Sequence, residues 1–468
     1  MKRPATLGEL KAGGWPLERL RRGVREEARA NLLQKLRTGE KLFPGIFGYD
    51  ETVIPALVRA ILARQHFILL GLRGQAKSRI LRGLTALLDP EIPALDTPLR
   101  DNPLDPISPA GRRLLAEAGD DAPLIWLSPD ERYLEKLATP DVTVADLIGE
   151  LDPIKAARRG QGLDDLEAVD YGLIPRANRG IFAVNELPDL PARVQVALFN
   201  VLEEGDVQVR GLPLRLPLDV WLAFSANPED YTARGRIVTP LKDRVDAEIR
   251  THYPLRLEDA LAITRAEARL PAEVVIPEFV ARAVERVAFL ARRDPRVDHS
   301  SGVSQRLPIS LLELAAAGAE ARALAGGEEA VARPRDVYGS IPAITGKLEL
   351  EYEGELVGAE ALARELIARA FAAEWGEKPG LDELAAWFAG GRALELPDAA
   401  EAAWAEVQRV PPLAELATPH ARTAAQGVSW AEFALEALVG RGVLSRSEGA
   451  YRAKPPAQKE GGREPLTP

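Results

Sequence analysis

The spacing of apolar residues along this chain changes several times, and each change predicts an element. Leu17, Leu20, Val24, Ala28 and Leu32 recur at helical spacing with Arg and Glu between them, which predicts a helical arm over residues 1–42. Phe43-Pro44-Gly45-Ile46-Phe47-Gly48-Tyr49 is rich in turn residues and leads into a helix over about 51–64. Short continuous apolar runs follow at 66–70, 123–127, 180–184 and 220–226, the length of buried strands. A polar, Pro-rich connection over about 89–122 separates the first two. A further helix and an insert are expected over about 130–178, and another helix over 187–202. Alternating Val and polar residues after Gly205, with a Gly turn, predict a β-hairpin ending near 218. Strands alternating with helices predict a three-layer α/β domain with a mostly parallel sheet, over 43–255.

From about 256 onward the pattern is helical. Phe279, Ala283 and Val287 share one face of a run over 277–293, and Pro308 suits the first turn of a helix over 308–324. This predicts a small helical lid over 256–352. An Ala- and Glu-rich helical region follows over 353–453, with Trp375, Trp387, Trp404 and Trp430 as core anchors and a wing-like strand near 444. The Pro-, Gly- and Lys/Glu-rich tail, 454–468, has a disordered composition.

Composition narrows the chemistry. At 468 residues the chain exceeds one ordinary domain. A net charge of −10 disfavours a dedicated nucleic-acid binder. The absence of cysteine excludes disulfides, thiolate catalysis and Cys-ligated zinc. The four histidines lack metal-ligand spacing; His66 is expected at a strand edge and His252 in a short strand-like segment. No apolar signal core opens the chain and no apolar run approaches ~18 residues, so no membrane span and a cytoplasmic location are expected.

The most informative segment is Gly71-Leu72-Arg73-Gly74-Gln75-Ala76-Lys77-Ser78, set between a strand and a helix. That is the context of a phosphate-binding loop: backbone N–H groups converge on a polyphosphate, and the helix N-terminus adds partial positive charge. Lys77 is placed for the outer phosphates and Ser78 for Mg²⁺. Ala76 stands where the pattern has its last Gly, and Ala is penalised at positive φ. The strand at 180–184 ends in Asn185-Glu186, where such sites hold an acidic pair. Glu186 is the candidate general base, and Asn185 orients a metal-bound water without supplying charge. Asn227, after the strand at 220–226, is the candidate polar group beside the attacking water. Arg234, Arg236 and Arg244 form a basic segment suited to phosphate recognition, with at least one expected to be merely solvated. Arg306, ahead of the second lid helix, is a further candidate.

These residues resemble an AAA+ ATPase module over about 40–345, of the MoxR and magnesium-chelatase I-subunit branch. The resemblance is carried by Phe43–Gly48, by the insert from Asp146-Leu147-Ile148-Gly149 ahead of Arg179-Gly180-Ile181-Phe182, and by the run from Val201 to Gly211. It implies an α/β three-layer fold with a helical lid, and ATP and Mg²⁺ as cofactors. It matches Gly71 to Ser78 to the Walker A loop, Glu186 to the Walker B glutamate, Asn227 to sensor 1, Arg244 to the arginine finger and Arg306 to sensor 2. Ile46, Phe47 and Gly48 match the adenine-side loop. It also implies a homo-oligomeric ring, usually a hexamer, and a partner carrying a von Willebrand factor A domain. Remodelling of that partner, or metal insertion into it, is the implied function. A nucleotide-binding scaffold with weak hydrolysis and a nucleic-acid-linked motor remain as alternatives. A sigma-factor-remodelling activator would need a Gly-Ala-Phe-Thr-Gly-Ala loop, which is absent.

Overall fold

The computed structural model describes residues 3–151, 169–208, 215–228, 236–447 and 449–454. It divides into two compact units, Met1–Tyr253 and Pro254–Pro468. The described strands of the first unit are β1 (Phe67–Leu70), β2 (Ile92–Leu95), β3 (Leu124–Leu127), β4 (Tyr133–Leu137), β5 (Gly149–Leu151), β6 (Val169–Tyr171), β7 (Gly180–Asn185), β8 (Asp206–Gln208), β9 (Arg215–Pro217), β10 (Val220–Ala226) and β11 (Ala247–Arg250). Five of them form a parallel sheet in the order β11-β1-β10-β7-β4.

Both faces of that sheet are covered, which is why its central strands read as unbroken apolar runs. Phe67, Leu69, Ile181, Ala183, Trp221, Ala223 and Ile249 form one core with α2 (Val24–Thr38), α3 (Val53–Leu62) and α4 (Lys77–Gly83), after a short α1 (Leu7–Ala12). Ile68, Phe182, Val184, Leu222, Phe224 and Ala226 form a second core on the opposite face with Leu187, Leu190, Val194 and Leu198. Each buried Phe or Leu here contributes about 1.5–3 kcal/mol. The result is a three-layer α/β module, as expected, with a mostly helical second unit.

Several elements differ from the pattern reading. The arm is not one helix: Leu17 and Leu20 lie in a 3₁₀ turn, Leu17–Arg21, and α2 begins only after Gly23. Leu20 packs with Leu7 and Leu10, whereas Val24, Ala28 and Leu32 pack on the main sheet. The Asp219 carboxylate accepts from Val24 N at 3.0 and 2.9 Å and so caps α2. β3 does not join the main sheet but pairs antiparallel with β2. The edge strand is instead β4, Tyr-Leu-Glu-Lys-Leu, within the stretch expected to be helix and insert; its charged residues hid it. The last strand of the first unit is β11, which ends immediately ahead of the segment around His252. Over 187–202 the chain makes a 3₁₀ turn and two short helices, because Pro188 and Pro191 interrupt it. β8 and β9 pair as a hairpin; its tip, including Arg210, and the tail after 454 lie outside the described residues.

In the second unit one core joins the helices Glu278–Ala291, Arg306–Gly326, Ala359–Trp375 and Ala424–Gly440. Phe279 stacks on Phe433 with centroids 4.2 Å apart. Trp375 is buried, whereas Trp387, Trp404 and Trp430 are partly buried against the same core. β12 (Ala393–Glu395), β13 (Leu444–Ser447) and β14 (Ala450–Ala453) form a three-stranded sheet in which β14 is central. Among the described residues no helix is long and apolar enough to cross a membrane.

Candidate functional site

The loop after β1 is shaped by two residues at positive φ and by one close approach. Gly71 cannot carry a side chain, since a Cβ would fall 1.9 Å from Thr251 Oγ1 and 2.2 Å from Gln75 Oε1. Gly74 has φ +73°. Ala76 adopts φ 57°, ψ 15°, the left-handed conformation in which Ala is strained by about 1–2 kcal/mol. The expected penalty is thus present, and the surrounding contacts over-determine the loop. The Tyr49 hydroxyl lies 3.0 Å from the Gln75 carbonyl and 2.7 Å from that of His252. Thr251 Oγ1 donates to Gln75 Oε1 at 2.7 Å, and Tyr253 donates to the Arg73 carbonyl at 2.9 Å. Burial pushes the Tyr49 phenol up to about 12, so it remains a donor.

Lys77 opens α4 and is buried; its ammonium donates to the carbonyls of Gly71 and Leu72, the latter at 3.0 Å. Ser78 follows it. Strand register brings the rest together. Leu69 stands opposite Ser225, and Phe224 opposite Val184, so Asn185, Glu186 and Asn227 follow β7 and β10 at the same edge of the sheet as the loop. The hydroxyls of Ser78 and Ser225 both donate to Asn185 Oδ1, at 3.2 and 2.9 Å. Asn185 Nδ2 donates to Glu135 Oε1 at 2.5 Å. Glu186 adopts φ 55°, ψ 50°, a strained conformation of the sort found at functional sites. Asn227 is buried, and its Oδ1 has no hydrogen-bond partner.

On the turn expected to flank the adenine, Ile46 is buried, Phe47 and Gly48 are half-buried, and Gly48 has φ +75°. Arg244 is bound elsewhere: Nη1 donates to the Pro240 carbonyl at 2.9 Å, Nε lies 2.9 Å from Glu203 Oε2, and the guanidinium covers the Phe199 ring at 4.6 Å. Arg236 is exposed, and Arg234 lies outside the described residues. Arg306 is exposed at the first position of its helix in the second unit.

Pattern reading missed Glu135, Tyr49 and Thr251. Nothing in the pattern of β4, Tyr-Leu-Glu-Lys-Leu, signalled the first, because the strand does not alternate. His66 is structural: Leu222 N donates to its Nδ1 at 3.0 Å, and burial, then nearby Arg25, lower its pKa to about 4. Among the described residues no cluster of three or more His, Asp or Glu could hold a metal unaided. The donor set fits Mg²⁺ held by Ser78, waters and phosphates, which is how that ion is usually bound. The unpaired Asn227 Oδ1 likewise fits a bound water.

The magnesium-chelatase subunit ChlI of Nostoc sp. is 29% identical over 245 residues, covering 51% of this chain and 61% of that protein. ChlI of Guillardia theta is 30% identical over 232 residues, covering 48% and 62%. The magnesium-chelatase 38 kDa subunit of Cereibacter sphaeroides is 29% identical over 210 residues, covering 43% and 55%. This chain is thus similar to AAA+ subunits of magnesium chelatase over about half its length. The matches span about six-tenths of the length of these relatives. No family model matches this chain. Among solved structures, the complex of BchI and BchD of magnesium chelatase is 21% identical and covers 68% of this chain and 98% of that one, with a TM-score of 0.34. A RuvB variant of Thermotoga maritima is 11% identical and covers 86% and 90%, with a TM-score of 0.36.

Proposed function

We propose that the chain binds ATP with Mg²⁺ at the loop 71–78 and hydrolyses it to ADP and phosphate. The observation that supports this best is the gathering of Lys77, Ser78, Asn185, Glu186 and Asn227 at one edge of the sheet. In this reading the Lys77 ammonium leaves the loop carbonyls to donate to the outer phosphates. The loop N–H groups and the N-terminus of α4 hold the remaining phosphate oxygens. Ile46, Phe47 and Gly48 flank the base. Ser78 and, through water, Asn185 hold the cation, which supplies Lewis-acid charge on the phosphate oxygens. Glu186 takes a proton from the attacking water, while Asn227 Oδ1 accepts its other O–H. Lys77→Ala should abolish most ATP affinity by calorimetry in a folded protein; Glu186→Gln should retain ATP and lose about 10²–10⁴-fold in turnover. Unchanged affinity in the first, or unchanged turnover in the second, rejects the assignment.

Assembly into a ring, six-membered by the family resemblance, would place Arg244 at a neighbour's phosphates. Its release from Glu203 would accompany assembly. Mixing Arg244→Ala with Glu186→Gln protein should then restore part of the hydrolysis that each lacks alone. No rescue in mixed rings verified by subunit exchange rejects action in trans. Remodelling of a partner with a von Willebrand factor A domain, or metal insertion into it, is the corresponding cellular role, and co-purification with such a partner tests it. A scaffold with weak hydrolysis is the second reading. The strained Ala76 and the uncharged Asn185 favour it, and the turnover of the unmodified chain decides between the two.

A further inference from the structure

We propose that Glu135 is a positioning residue for the cation side of this site: it fixes the Asn185 amide and supplies, from the neighbouring strand, the negative charge that Asn185 lacks. The inference rests on the nucleotide reading above. β4 runs parallel beside β7 with Leu137 opposite Asn185 and Glu135 opposite Ala183, so Glu135 and Asn185 share a sheet face. Glu135 Oε1 accepts from Asn185 Nδ2 at 2.5 Å. That contact selects one amide orientation. Oδ1 then faces the hydroxyls of Ser78 and Ser225 as an acceptor. A flipped amide would set Oδ1 against a carboxylate oxygen and turn its N–H donors toward the side where a cation's water shell needs an acceptor.

Glu135 is itself held. Arg82 Nε and Nη2 donate to its two oxygens at 2.8 and 3.1 Å, and Tyr133 donates to Oε2 at 3.2 Å. Arg82 lies on α4 one turn beyond Ser78, so the pair ties the phosphate-loop helix to the edge strand. This arrangement makes a charge at position 185 unfavourable while Glu135 is present. Asn185→Asp alone sets two carboxylates in contact, and like charges that close cannot both ionise without penalty. Asn185→Asp combined with Glu135→Gln moves the charge back to β7 and keeps one N–H donor between the two side chains.

The test is the Mg²⁺ dependence of binding of a fluorescent ATP analogue, measured on the full chain. Glu135→Gln and Asn185→Asp should each raise the Mg²⁺ concentration for half-maximal binding by about fivefold or more, and the double variant should return to within about twofold of the parent. Affinity in the absence of Mg²⁺ should stay unchanged in Glu135→Gln, and Glu135→Asp, which shortens the reach, should show the same Mg²⁺ shift. Additive effects of the two changes, an unaltered Mg²⁺ dependence in Glu135→Gln, or an equal loss with and without Mg²⁺ overturns the proposal. Failure of the parent to bind nucleotide overturns the nucleotide reading as well. Binding that needs Lys77 and ignores Glu135 overturns this proposal alone.

Discussion

The carboxylate of Glu436 and the amide of Asn227 are both buried, one in each unit, and the chain treats them in opposite ways. Glu436 is closed off. Tyr338 donates to its Oε2 at 2.7 Å, Tyr451 to its Oε1 at 2.8 Å, and Arg446 Nη1 lies 3.2 Å from Oε1 while its guanidinium covers the Tyr338 ring at 4.5 Å. These contacts fasten β13 and β14 to the helix Ala424–Gly440. Burial still raises the Glu436 pKa, with Arg446 and the two tyrosines opposing it. Around Asn227 the opposite holds: an acceptor is left unpaired, and two non-glycine residues, Ala76 and Glu186, sit in left-handed backbone. A network whose every group is matched rigidifies the fold. Open acceptors together with strained backbone are features that cluster at ligand sites, and they accord with the proposed nucleotide site.

The sharpest way to break this contrast is to remove Glu436. Glu436→Ala strands Arg446 and two phenols in the interior, and breaking a buried pair costs about 3–5 kcal/mol. The expected result is a large drop in thermal midpoint with ATP affinity at the loop retained. Glu186→Gln should do the reverse, leaving the midpoint in place and removing turnover. If both variants lose stability alike, the two clusters serve the same purpose and the contrast fails.

His66 gives the next effect. Its lowered pKa means that the unfolded chain takes up a proton near 6.5, which the folded chain refuses until about 4. The unfolded state therefore binds more protons in that window, and stability falls as pH drops from about 6.5 to about 4, by about 3 kcal/mol in all. Denaturant midpoints measured across that range should show this slope, and His66→Asn should flatten it. An equal slope in the variant assigns acid sensitivity to other groups.

The smallest effect concerns Ala76. Replacing it by Gly relieves about 1–2 kcal/mol of left-handed strain, but gives back about 0.4–1 kcal/mol by loosening the unfolded chain. A net gain of about 0–1.6 kcal/mol in unfolding free energy is expected from denaturant titration. A loss would show that the Ala76 methyl packs usefully against the core it adjoins.

Local order along the chain determined the strand, loop and helix of the candidate phosphate site, because the three are consecutive and their chemistry is carried by adjacent residues. It also determined the central strands, whose burial on both faces leaves an unbroken apolar signature. Tertiary structure alone decided which distant groups complete these pieces. Glu135 reaches Asn185 from fifty residues away on an edge strand whose polar residues disguised it. Glu27 pairs bidentately with buried Arg132 at 2.8 and 2.6 Å, and Asp219 caps α2, across still longer separations. Periodicity reports which way a side chain faces; it carries no information on which partner lies there. That is set by strand order, and here the order β11-β1-β10-β7-β4 places the uncharged Asn185 beside a carboxylate that the chain supplies from its neighbour.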